Sequence, residues 1–237
     1  MGAHGLRNGA PWVREAVLSV LSQTAPDLEL IVIDDATPDL LGAVRDARLR
    51  VERLRVREGL TGSLARALGL ARAPLLARLD ADDQALPERL ERQRDFLDAH
   101  PQVGLLGTGA REVDASGLPV AVVRPPAAAA AIRRALIRRN PFVHFSVMAR
   151  RDVVERAGGY DPSFPVAQDY DLWMRVSGLT RLANLPEPLV IQRLCRALPR
   201  GGRRLRRVRD RQALAPRARH GPANREREAD RARPLPW

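Results

Sequence analysis

Pro74-Leu75-Leu76-Ala77-Arg78-Leu79-Asp80-Ala81-Asp82-Asp83 is a short apolar run that ends abruptly in three carboxylates. With a helix start following at Pro87-Glu88-Arg89, it reads as a buried parallel strand whose C-terminal end opens into a loop, which is where α/β sheets hold ligands. Asp80 and Asp82 are two apart, so on an extended backbone their side chains leave one face and can converge on one hard cation. Mg2+ or Mn2+ suits such a donor set, since carboxylate oxygens and a phosphate ligand favour it and nothing nearby offers thiolate or clustered imidazole. The competing reading is a strand end whose acids cap the next helix and are otherwise solvated.

Leu28-Glu29-Leu30-Ile31-Val32-Ile33-Asp34-Asp35-Ala36-Thr37 repeats the pattern: an apolar, β-rich run ends in two acids. Two such strand ends in one parallel sheet lie on the same edge, so their carboxylates can share a crevice. An Asx turn or a helix cap is the alternative for Asp35. In Ala167-Gln168-Asp169-Tyr170-Asp171-Leu172-Trp173-Met174-Arg175-Val176 the apolar residues recur at helical spacing, which predicts an amphipathic helix with Asp169 in its first turn. Asp169 is there either a cap or a general base able to take a proton from an attacking hydroxyl.

These segments, taken with Asn8-Gly9-Ala10-Pro11-Trp12 through Gln23-Thr24, Gly59-Leu60 through Ala71-Arg72, Leu86-Pro87-Glu88-Arg89-Leu90, His100-Pro101, Asn140-Pro141-Phe142-Val143-His144, Ser146-Val147-Met148 and Gly158-Gly159-Tyr160-Asp161, follow one another in a recognisable order. In that order and spacing the chain resembles the family 2 glycosyltransferases over about residues 8 to 191. The resemblance implies an α/β, glycosyltransferase A-type fold, with a Rossmann-like, mostly parallel sheet flanked by helices on both faces. It also implies an inverting, metal-dependent transfer of a sugar from a nucleotide-diphospho-sugar to a glycan or lipid-linked acceptor, in bacterial surface polysaccharide or lipopolysaccharide synthesis. By position, Asp35 would hold the nucleotide base, and Asp80 and Asp82 would form the family's Asp-x-Asp motif with Asp82 as direct ligand of Mg2+ or Mn2+. Asp169 would be the catalytic base. Arg66 falls where the family often has a residue facing the base or phosphates, a solvated helix arginine being the other reading. His144 and Tyr170 would line the acceptor pocket or simply pack.

Length and composition fit one α/β domain. The resemblance divides it into a nucleotide-sugar half, 8–103, and an acceptor-side half, 104–191, within a transferase domain 1–191. No run of about 18 apolar residues appears, and the first ten residues lack a signal-peptide core, so a cytoplasmic body is expected. A single cysteine, Cys195, excludes an intramolecular disulfide and a Cys-based zinc site. Residues 1–191 hold 25 arginines against 24 acids, whereas 192–237 hold 15 against 4, and the chain has no lysine. Basicity therefore belongs to an Arg-rich tail whose composition predicts disorder and could hold the protein against the inner membrane face. With one aromatic in the tail, Trp237, a specific nucleic-acid partner is not expected.

Two features depart from the family pattern. Met1 to Arg7 is not the apolar first strand that the resemblance calls for, and Gln192-Arg193-Leu194-Cys195 replaces the usual Tyr-Arg-x-His. A non-catalytic relative with intact acids, or an Arg-tail protein binding nucleic acid or membrane, are the alternative functions.

Overall fold

The computed structural model describes residues 12–36, 41 and 44–194. Residues 1–11, where the sequence lacks the family's apolar first strand, and the tail from Cys195 onward lie outside the described residues.

Helix α1, Val13–Leu21, buries Val13, Ala16, Val17 and Val20. This is the i, i+3, i+4, i+7 stripe of an amphipathic helix. Strand β1, Leu30–Asp34, is buried at all five positions and pairs in parallel with β2, Leu49–Arg53, from Leu30 opposite Leu49 to Asp34 opposite Arg53. A continuous apolar run without alternation is what a strand covered on both faces requires. Among the described residues β1 pairs with β2 alone. Helix α2, Gly59–Leu70, follows.

The larger sheet runs in the order β3 (Leu75–Ala77), β7 (Met148–Arg150), β5 (Val103–Asp114), β8 (Arg181–Leu194) and β4 (Gln84–Ala85), with β6 (Pro119–Val123) forming a hairpin on β5. Only β5 and β8 are parallel there; β3 with β7, β7 with β5, β6 with β5 and β4 with β8 are antiparallel. The sheet is thus mixed rather than mostly parallel. The acid-bearing segment lies between two short strands at opposite ends of this sheet, each paired antiparallel to its neighbour, and α3 follows. The register of β5 on β8 shifts around Gly109, opposite Pro186 and Pro188, which cannot donate to a ladder. A Cβ at Gly109 would meet the Val123 and Pro186 carbonyls at 2.8 and 2.9 Å, so the backbones approach closely only because no side chain is there.

Both expected halves contribute to this one sheet. A border at 103/104 falls inside β5, and β8 carries on to Leu194, so Gln192, Arg193 and Leu194 belong to the fold and not to the tail. Helices α3 (Arg89–Ala99), α4 (Ala129–Leu136), α5 (Arg151–Arg156) and α6 (Gln168–Val176) cover it. One apolar cluster joins α4, α5 and α6 to the sheet through Leu105, Ile132, Leu136, Val153, Leu172 and Trp173. Another joins α1 and β1 to Leu79, Ala110, Phe145 and Val190, which ties the small sheet to the large one.

Candidate active site

The apolar run around Leu76 is interrupted by Arg78, whose side chain is only 5% exposed. A guanidinium cannot enter such a place without a counter-charge. Asp80 supplies it, with Oδ1 2.5 Å from the arginine Nη2. After Asp80 the chain turns: the Asp83 N–H donates to the Asp80 carbonyl at 3.3 Å, and Ala81 tucks against Val13 and Leu41. Asp80 and Asp82 therefore sit on a turn, not on the extended strand that their two-residue spacing suggested. Asp83 is buried, and its carboxyl is pushed up to about 8, first by burial and then by the charges of Asp80 and Asp82. The Arg193 backbone N–H, at 2.9 Å, and the nearby Arg78 oppose that rise. Arg193 also reaches Glu15 at 3.0 Å and lies over the Trp12 ring, so the end of β8 clamps the acidic turn to α1.

Below the turn, Arg89 and Gln93 on the buried face of α3 hold strand-end carbonyls. Arg89 donates to the carbonyls of Arg78 at 2.6 Å and Val147 at 3.3 Å, and to Gln93 at 3.0 Å. Gln93 donates to those of Leu106 and Ser146. Full burial, then the charge of Arg78, pull the Arg89 guanidinium down to about 9.

Asp169 enters from the other side of the sheet. Ala167 precedes α6 with φ 59°, a left-handed conformation strained for a residue with a Cβ, and the chain then places Asp169 in the first helical turn. Burial raises the Asp169 carboxyl, while the backbone N–H of Tyr170, the charge of Arg78 and its own N–H draw it back. Asn140 donates to its Oδ2 at 2.6 Å, and His144 Nδ1 lies 3.7 Å from the same oxygen, an ion-pair distance when the imidazole is protonated. His144 meets Trp173 edge-on and Tyr160 at a tilt, with ring centres 6.1 and 6.4 Å apart. The Tyr160 hydroxyl is pushed up to about 12, chiefly by burial and in part by the charges of Asp169 and Asp80, with Arg78 opposing. Residues 78–80, 140–144, 160 and 169 thus share one electrostatic neighbourhood.

The remaining site candidates take different places. Asp35, at the end of β1, accepts the Glu58 N–H at 2.7 Å and the Gly59 N–H at 3.0 Å, so its carboxylate fixes the entry to α2. Gly59 turns there at φ 71°, a conformation its missing Cβ permits. Arg66 pairs with Glu58 on the exposed side of α2, one residue removed from the Asp35 contacts. Tyr170 does not open into the site through its hydroxyl: it donates to the Leu136 carbonyl at 2.5 Å, and burial raises it, so this side chain anchors the end of α4. Arg78, Asn140, Tyr160 and Asp83 were not legible as site members. Arg78 shows as a lone arginine inside an apolar run, Asp83 closes the acidic triplet, and Asn140 and Tyr160 stand in the matched motifs, but none of those patterns says which side chains converge.

Among the described residues no group of three or more His, Cys, Asp or Glu is arranged as a metal site. The donor set still fits Mg2+ or Mn2+, which are bound through one or two carboxylates with phosphates and water completing the shell. Asp82 and Asp80 present hard oxygens on one turn, although Asp80 is shared with Arg78.

The family model described as Glycosyl transferase family 2 matches residues 6–157. The chain belongs to that family. The putative glycosyltransferase EpsE of Bacillus subtilis is 31% identical over 182 residues, covering 72% of this chain and 64% of that protein. The amylovoran biosynthesis glycosyltransferase AmsE of Erwinia amylovora is 38% identical over 117 residues, 49% of this chain and 43% of its own length. This family 2 chain therefore spans 43% and 64% of the length of these two relatives. Among solved structures, Staphylococcus aureus TarS 1–349 superposes with a TM-score of 0.65 in complex with UDP and 0.67 in complex with UDP-GlcNAc. Identity is 20% and 19%, with 81% and 83% of this chain and 59% and 58% of TarS covered. That likeness establishes the glycosyltransferase A-type fold.

Proposed function

We propose that the chain is the catalytic part of an inverting glycosyltransferase that moves a sugar from a nucleotide-diphospho-sugar to a hydroxyl of a surface-polysaccharide acceptor. The observation that carries this reading is the convergence of Asp80 and Asp169 on one neighbourhood around Arg78, with an acidic turn on one side and an isolated, raised carboxylate on the other. The relatives are named for amylovoran, O-antigen and succinoglycan biosynthesis, which supports the polysaccharide setting. TarS is described with UDP and UDP-GlcNAc, which supports a uridine-based donor.

Asp82, with Asp80 beside it, would hold Mg2+ or Mn2+; when bound, the cation neutralises charge on the departing diphosphate. Asp35 and Arg66 would face the base and phosphates at the start of α2. Asp169 would accept the proton of the acceptor hydroxyl as its oxygen bonds to the sugar C1. The C1–O bond to the diphosphate breaks on the opposite face, and its electron pair leaves with the nucleoside diphosphate. A raised carboxylate is suited to this, because a general base works best when its pKa approaches the operating pH. Asn140 holds its Oδ2 with His144 beside it, and the other oxygen would be the one to take the acceptor proton. No helix among the described residues is long and apolar enough to cross a membrane. A cytoplasmic body touching the inner membrane face, in part through its arginine tail, suits a lipid-linked acceptor.

The test is Asp169→Asn, assayed by release of nucleoside diphosphate from a panel of UDP-sugars. We expect a loss of about a hundredfold or more with nucleotide affinity unchanged. Turnover near that of the parent would assign the base elsewhere.

A further inference from the structure

Helix α4 and the turn behind it read Ala129-Ala130-Ala131-Ile132-Arg133-Arg134-Ala135-Leu136-Ile137-Arg138-Arg139. Ile132 and Leu136 are buried, whereas Arg133, Arg134, Arg138 and Arg139 are exposed and Ile137 is 77% exposed. Ile137 keeps helical angles, and the N–H groups of Arg138 and Arg139 both reach the Ala135 carbonyl, so the helical turn continues past Leu136. At about 100° per residue, with Ile132 at zero, the buried pair lies at roughly 0° and 40°. Arg133, Ile137, Arg134 and Arg138 then fan out over roughly 100° to 240°, on the opposite face. Ile137 sits between Arg133 and Arg134.

Charge on this face is not interspersed. From Ala115 to Arg151 the chain holds seven arginines and no Asp or Glu, although residues 1–191 as a whole are nearly balanced. Among the described residues no carboxylate pairs with Arg133, Arg134, Arg138 or Arg139. Arg133, Arg134 and Arg138 surround the exposed aliphatic tip, and Arg139 follows at the end of the turn. They match an anionic bilayer surface, where the cations pair with lipid phosphates and the aliphatic group enters the head-group layer. The face also ends one residue before Asn140, whose amide is bonded to Asp169.

We propose that α4 and its C-terminal turn form a membrane-docking face that seats the acceptor side of the site on anionic lipid. It is separate from the tail, which holds fourteen arginines in residues 195–237. The tail would bind any polyanion through charge alone, whereas the α4 face depends on Ile137 as well.

Flotation of the full chain with phosphatidylcholine vesicles, plain or with about a quarter phosphatidylglycerol, tests this. Binding is expected only to the anionic vesicles. Arg133→Gln/Arg134→Gln/Arg138→Gln/Arg139→Gln should lower partition by roughly a hundredfold or more, taking about fivefold per arginine at the surface. Ile137→Ser, which leaves the charge alone, should lower it by about tenfold. The matched tail variant Arg203→Gln/Arg204→Gln/Arg206→Gln/Arg207→Gln should lower it at least tenfold less than the α4 set does. All of the substituted α4 residues are exposed, so unchanged thermal midpoints are expected and read alongside. Partition insensitive to both the α4 set and Ile137→Ser would overturn the proposal. So would α4-dependent retention on duplex DNA with vesicle binding unaltered, which would make the face a nucleic-acid surface.

Discussion

Asn140 donates its side-chain N–H to Oδ2 of Asp169 at 2.6 Å, and the amide is fixed in that sense because its Oδ1 accepts the Phe142 backbone N–H at 3.0 Å. The bond favours the charged carboxylate and works against the burial that raises Asp169. Asn140→Ala should therefore move the acidic limb of the transfer rate to higher pH. A hydrogen bond to a charged group is worth about 1.5–3 kcal/mol, so the expected displacement is about one to two pH units. Asn140→Asp should move it further still, because two carboxylates would then share one proton. A limb that stays in place in both variants would show that Asn140 does not tune the base.

Binding of UDP should require Mg2+ or Mn2+, because the acidic turn cannot hold a diphosphate against its own charge. Calorimetric titration with metal and with chelator measures this directly. Asp82→Ala should weaken UDP binding in metal and leave no difference between the two conditions. Equal affinity in the parent protein with and without chelator would remove the cation from the reaction.

Arg78 is buried and pairs with the half-buried carboxylate of Asp80, so its removal should be felt in stability before activity. Arg78→Met leaves Asp80 without its 2.5 Å partner. Breaking a buried pair from one side costs up to about 3–5 kcal/mol, and the half-buried Asp80 puts the expected loss toward the lower end. Adding Asp80→Asn removes the stranded charge and should restore about half of that loss, as read from urea midpoints. Midpoints within about 0.5 kcal/mol of the parent for Arg78→Met would mean that water or another cation already screens Asp80.

The Asp83 carboxyl, raised to about 8 in the fold, gives stability a pH slope of known sign. Between its unfolded range near pH 4 and about 8 the native state binds more protons than the unfolded chain, so stability falls as pH rises through that window. Thermal midpoints in chelator should decline from pH 5 to pH 8, and Asp83→Asn should flatten the decline. A profile rising over that range in the parent, with the same slope in Asp83→Asn, would show that the group is ionised throughout.

Much of the architecture was legible in local sequence, since periodicity and acid-terminated apolar runs report on single elements. The 3.6-residue stripe of α1, the unbroken apolar run of β1, the start of α3 and the placement of Asp169 in the first turn of α6 all follow from residues near one another in the chain. The order of motifs then gave the family, because that order is itself a property of the sequence.

Strand direction was different. An apolar run such as Leu75–Ala77 pairs equally well either way, and only the return of Met148–Arg150 alongside it makes the pairing antiparallel. The partners of Asp83 and Asp169 were hidden for the same reason: Asp83 meets a backbone N–H 110 residues away, and Asp169 meets an amide 29 residues before it. The sequence by itself determined which elements form and which carboxylates end them, because those depend on neighbours within a turn or two. Only the tertiary structure decided that the Tyr170 hydroxyl bonds the end of α4, that Asp80 is shared with a buried arginine, and that Asn140 bonds Asp169. Each of these is a side-chain contact fixed by burial and charge, which periodicity along the chain does not record.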